Sequence, residues 1–158
     1  MLTDQPQGAN ILLAADHGGF ALKEYIKEQL EDQGYDVTDL GCLSEDSVDY
    51  PDYAATLAER IISGAATRGI LVCGTGIGMS IAANRFAGIR AALCHDVFSA
   101  RMTREHNDSN VLCLGARVIG VGLAMDIVNT WLDTNFSGGR HQRRLDKIRA
   151  LEERYQLL

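Results

Sequence analysis

Gly69-Ile70-Leu71-Val72-Cys73-Gly74-Thr75-Gly76-Ile77-Gly78 decides the fold. The run from Gly69 to Val72 reads as a buried strand, and Met79 to Ala87 reads as a helix. Between them lies a turn of alternating glycines with a thiol at its mouth. Such a turn exposes backbone N–H groups at the positive end of a helix, a place that holds an anion and also stabilises a thiolate. A base and an oxyanion site are thus adjacent in the chain, which points to chemistry on a small anionic molecule. The plain alternative is a tight turn that needs positive φ and nothing more.

Working outward, strand-like and helix-like segments alternate. Asn10 to Ala15 is an apolar strand, and Phe20 to Gln33 is an amphipathic helix with Leu22, Ile26 and Leu30 four apart, stopped by Gly34. Tyr35 to Leu40 is a second strand, followed by a polar loop from Gly41 to Tyr50. Pro51 suits the first turn of a helix reaching about Ala65. Ile89 to Cys94 and Asn110 to Leu114 are further strands. Asp96 caps a helix over Val97 to His106. A helix over Gly122 to Phe136 follows, then Ser137-Gly138-Gly139 and a last polar helix from His141 to about Leu157. Five strands joined by helical crossovers predict an α/β protein, a parallel sheet covered on both faces. Ligands collect at the carboxyl ends of such strands, where this sequence places Asp16-His17-Gly18-Gly19, Cys73-Gly74-Thr75-Gly76 and Arg117.

The 158 residues amount to one domain, expected over 10–158, with residues 1–9 a frayed polar tail. No run of ~18 apolar residues predicts a transmembrane helix, and no signal-peptide pattern opens the chain. The four cysteines form no C-x-x-C pair, which disfavours zinc or thioredoxin-like chemistry and fits free thiols in a reducing cytoplasm. The net charge of −6 argues against general nucleic-acid binding. Yet Arg140 to Arg154 carries six basic and three acidic residues. A local cationic site on an acidic chain suits a small phosphorylated ligand better than a polymer.

Each candidate has an ordinary reading beside the functional one. The glycine turn is neither a dinucleotide fingerprint, which would need glycine at Met79 and a place after the first strand, nor a Walker loop, which would need Gly-Lys-Ser/Thr. Cys94 and Cys113 read as small buried apolar residues, and Cys42 as incidental. Cys73 stands apart by its address. Asp16-His17 reads as a helix cap with a surface histidine, or as part of the ligand edge. His106-Asn107 reads as a helix terminus, or as a group that exchanges protons near neutral pH. His95 and His141 read as structural or peripheral. Arg140 and Arg144 lie four apart, on one helix face, where two guanidinium groups can grip a phosphate or simply be solvated.

Taken in order, Ala15-Asp16-His17-Gly18-Gly19, Asp49-Tyr50-Pro51, Cys73-Gly74-Thr75-Gly76-Ile77-Gly78, Asn84-Arg85-Phe86-Ala87-Gly88-Ile89-Arg90, His106-Asn107-Asp108 and Gly138-Gly139-Arg140-His141 resemble the type B ribose-5-phosphate isomerases. That wider family includes the allose-6-phosphate and galactose-6-phosphate isomerases. The resemblance runs from about Asn10 to Tyr155. It implies a Rossmann-like three-layer α/β/α sandwich and a homodimer, in some members a tetramer, with active sites at the subunit interface. It implies aldose–ketose isomerisation with no metal and no cofactor. Cys73 matches the family's base, and His106 its ring-opening acid. Asp16, His17, Gly74, Thr75, Gly76, Ile77, Gly78, Asn107, Arg117, Arg140 and Arg144 match its substrate contacts. The helix over 140–157 carries a narrow apolar stripe of Leu145, Ile148, Leu151, Tyr155 and Leu158, expected to pack on a partner subunit or on its own domain. An isomerase of six-carbon sugar phosphates and a non-catalytic sugar-phosphate-binding module are the competing expectations.

Overall fold

The computed structural model describes residues 10–155. The expected N-terminal tail and the last residues of the final helix lie outside them. Five strands, β1 (Asn10–Ala15), β2 (Asp36–Asp39), β3 (Arg68–Cys73), β4 (Ala91–Leu93) and β5 (Val111–Gly115), form one sheet in the order β2-β1-β3-β5-β4. Every pairing is parallel. The helices are α1 (Phe20–Asp32), α2 (Tyr50–Ile62), α3 (Ile77–Ala83), α4 (Val97–Asn107), α5 (Val121–Asp133) and α6 (Arg140–Tyr155).

Strand alternation sorts the core into two layers. Ile11, Leu13, Ala15, Ile70, Val72, Leu112 and Leu114 meet Leu22, Ile26 and Leu30 of α1, Ala100 of α4 and the inner side of α5. Leu12, Ala14, Leu71, Cys73 and Cys113 face Ala54, Leu57 and Ala58 of α2 and Met79 and Ala83 of α3. The result is the expected three-layer α/β/α sandwich. Successive strands fall on opposite sides of β1: β2 to one side, β3 and the rest to the other. That reversal opens a crevice outside the carboxyl ends of β1 and β3.

Several boundaries differ from the sequence reading: α2 ends at Ile62 rather than about Ala65, α5 ends at Asp133 rather than Phe136, and α3 and β4 also change. The helix after the glycine turn runs Ile77–Ala83, not Met79 to Ala87. Gly76 adopts φ 76°, which lets the chain enter the helix at once. Asn84 then ends it, because its side chain donates to Ala91 O and accepts from Ala91 N, both at 2.9 Å. β4 shortens to Ala91–Leu93 because the Ile89 N–H closes a turn onto Phe86 O.

A buried ion cluster ties α1 to β2. Lys23 is fully buried, and its Nζ donates to Asp39 Oδ2 at 2.6 Å and Glu24 Oε1 at 2.7 Å. Burial pushes the Asp39 carboxyl upward, but Lys23, the Gly41 N–H and Lys27 together hold it below its ordinary range. Asp39 therefore binds its proton less readily folded than unfolded. Its contribution is present above its unfolded pKa of about 4 and is lost as pH falls through the lower folded value. Urea unfolding from pH 7 to pH 2 should show that acid limb, and Asp39→Asn should flatten it; an unchanged limb would leave Asp39 without a part in acid stability.

Candidate active site

The chain brings the candidate residues together in two groups, not one. The first lies at the crevice between β1 and β3. Asp16, directly after β1, is 8% exposed, and its Oδ1 accepts from Gly19 N at 3.1 Å. His17 accepts at Nδ1 from Val48 N at 3.2 Å, which leaves Nε2 as the nitrogen available to a ligand and ties the 41–49 loop over the crevice. A Cβ on Gly19 would sit 2.4 Å from Val72 O, so only glycine lets β1 turn into α1 against β3.

Cys73, the last residue of β3, is 5% exposed. Its Sγ accepts a hydrogen bond from Gly76 N at 3.1 Å. The sulfur thus lies at the base of the glycine turn while it packs against the α2–α3 layer of the core. The other thiols differ. Cys113 is fully buried and Cys94 is 2% exposed; burial pushes Cys113 far up and Cys94 up to about 12. Cys42 is buried too, with its Sγ donating to Ser44 O at 3.2 Å and burial pushing it upward. Thr75 is exposed at the tip of the turn, and its Oγ1 accepts from Ile77 N at 3.3 Å.

Arg117 completes this group. Its N–H donates to Gly74 O at 3.0 Å, and its guanidinium lies over the glycines: a Cβ on Gly74 would be 3.3 Å from Nη1, and one on Gly18 3.6 Å from Nη2. The ends of β1, β3 and β5 therefore form one cradle, with a carboxylate, an imidazole, a thiol and a guanidinium around backbone that lacks side chains.

The second group sits at the opposite edge of the sheet. α4 leaves the carboxyl end of β4 and runs back, so His106 and Asn107 end beside the start of β5. β5 alone, from Val111 opposite Gly69 to Gly115 opposite Cys73, covers ~13 Å. The His106 ring stacks on His141, with centroids 4.2 Å apart and planes 13° apart. Ser137 N donates to Glu105 O at 3.0 Å, which docks the start of α6 on the end of α4. Arg140 and Arg144 are both exposed on the first turns of α6. A groove of about 430 Å³ runs beneath α6, lined by Arg90, Asn107, Ser109, Leu145, Ile148 and Glu152 among others.

Asp108 is the residue that the sequence reading left unexplained. It takes a left-handed φ of 44° to end α4, and it accepts from Arg104 Nη1 at 2.9 Å and Arg90 Nη2 at 3.1 Å. Its work is to fix the preceding His106-Asn107. Arg104 also lies over Trp131, as does Arg68, and Trp131 donates from Nε1 to Ser109 Oγ at 2.8 Å. The i,i+4 spacing of Arg104 and Asp108 was a visible signal for that pair. Nothing in the sequence marked His141 as the ring against His106.

Among the described residues no cluster of three or more His, Cys, Asp or Glu could hold a metal ion, and no helix is long and apolar enough to cross a membrane. The fold is a parallel α/β sandwich whose switch-point cradle suits a small anionic ligand. The chain belongs to the Ribose/Galactose Isomerase family, which matches over residues 11–148. It is 49% identical to ribose-5-phosphate isomerase B of Escherichia coli (strain K12), over 91% of this chain and 97% of that protein. It is 47% identical to D-erythrulose-4-phosphate isomerase of Pectobacterium atrosepticum, over 88% of this chain and 92% of that protein. The solved structure of Clostridium thermocellum ribose-5-phosphate isomerase B superposes with a TM-score of 0.91 at 52% identity, covering 92% of this chain and 99% of that one.

Proposed function

We propose that the protein interconverts ribose 5-phosphate and ribulose 5-phosphate through an enediolate, at a site assembled from two copies of the chain. The observation that carries this reading is the placement of Cys73: a sulfur that accepts the Gly76 N–H at the floor of a glycine cradle, in a family of sugar isomerases. In this mechanism His106 of a second copy passes a proton between the anomeric hydroxyl and the ring oxygen, which opens the sugar to the aldehyde. Cys73, as thiolate, takes the C2 proton. The electron pair moves onto the C1 oxygen, and amides of the 74–78 turn receive the charge; each well-aimed donor is worth ~3 kcal/mol. The C2 hydroxyl proton passes to the C1 oxygen, and the proton returned to C1 gives the ketose. One base serves both carbons because they are neighbours.

Asp16 orients a sugar hydroxyl, and His17, Arg117, Asn107, Arg140 and Arg144 hold the remainder of the substrate, with the arginines on the phosphate. The two half-sites lie at opposite edges of one sheet, so a homodimer unites them; a tetramer would be two such pairs. A reducing cytoplasm suits the mechanism, since it keeps Cys73 a free thiol.

The test is turnover by the purified protein, with a chelator present, on ribose 5-phosphate, allose 6-phosphate, galactose 6-phosphate and D-erythrose 4-phosphate. Ribose 5-phosphate should give the highest kcat/KM. A clear preference for a six- or four-carbon sugar would move the substrate assignment within the family. Binding without turnover on any of them would replace the enzyme by a sugar-phosphate-binding module.

A further inference from the structure

Resting on the reading above, we infer that His141 is a positioning residue for ring opening: its imidazole, stacked on that of His106, fixes the plane in which His106 meets the sugar. The rings are nearly parallel, 13° apart at 4.2 Å, whereas a chance contact between two surface histidines has no fixed plane. His141 is only 7% exposed, and its backbone N–H donates to Gly138 O at 3.0 Å, which anchors the main chain that carries the ring. His106, half-buried above it, is the ring left open to a ligand.

Electrostatics assign the two rings different roles. Two imidazolium rings face to face repel. The charged groups that act on His141 are Glu105 and His106 of α4 and Arg140 and Arg144 of its own helix. Burial first, then His106 and the two arginines, hold His141 below its ordinary range, and Glu105 only partly opposes them. The His141 platform therefore takes a proton less readily than a free imidazole.

Two measurements separate this role from simple support of α6. Turnover of ribose 5-phosphate requires the ring to open. Wash-out of the C1 proton of ribulose 5-phosphate in heavy water does not, because the phosphate occupies the 5-hydroxyl and this ketose cannot close a ring. His141→Ala should lower kcat/KM on ribose 5-phosphate ~10-fold while wash-out changes less than ~2-fold. His141→Phe, which keeps a flat ring without a titrating group, should restore ribose 5-phosphate turnover to near wild type. Equal loss in both measurements, or a Phe variant no better than Ala, would overturn the inference. His106→Asn is the control: if it discriminates between the two measurements and His141→Ala does not, only the role of His141 falls. If His106→Asn slows both alike, the ring-opening role of His106 falls, and that of His141 with it.

Discussion

Cys73→Ala should lower kcat on ribose 5-phosphate by ~10³-fold or more, the loss expected when a positioned base is removed from a carbon-acid step. Binding should survive. The side chain lost is small, and the groups proposed to hold the substrate lie elsewhere: Asp16 and His17 after β1, Arg117 after β5, and the arginines of α6. Calorimetric titration with ribose 5-phosphate should therefore give a Kd close to wild type. The fold should tolerate the change as well. Cys73 touches the α2–α3 layer of the core only from the edge of the sheet, and a thiol-to-methyl change there costs about 1 kcal/mol. Turnover near wild type in this variant would reject Cys73 as the base. The remaining thiols cannot take over, since Cys94 and Cys113 are held up by burial and Cys42 donates to Ser44 O.

The residues that make this first half-site were legible because strand ends are legible. An apolar run followed by Gly-x-Gly marks where β3 stops and α3 begins, and the order of strands and helices sends every such stop to one edge. Asp16, Cys73 and Arg117 could thus be placed together before any coordinates. Helix ends resisted the same reasoning. Asn84 stops α3 early by a side-chain clasp onto Ala91, a contact seven residues away that propensity does not encode. The stack of His141 on His106 depends on how α6 docks against α4, which is a matter of tertiary packing. Asp108, given no role by the sequence, accepts from Arg104 and Arg90. A polar residue beside a functional one is often there to hold it still.

The separation of the two half-sites gives the sharper expectation. Within one chain the sulfur of Cys73 and the ring of His106 face opposite edges of the sheet, at least the ~13 Å length of β5 apart. A five-carbon sugar with C2 on the sulfur cannot place its ring oxygen on that imidazole. Cys73→Ala and His106→Asn should each be nearly inactive alone on ribose 5-phosphate. Co-expressed with different tags and purified through both, they should yield a heterodimer with one wild-type site of two, and so about half the wild-type turnover. The other site carries both substitutions and contributes nothing. If each chain instead used its own His106, the heterodimer would be no better than the average of its two inactive parents. If no doubly tagged species formed, the chain would work alone, and the opposed placement of the two groups would exclude His106 from the reaction.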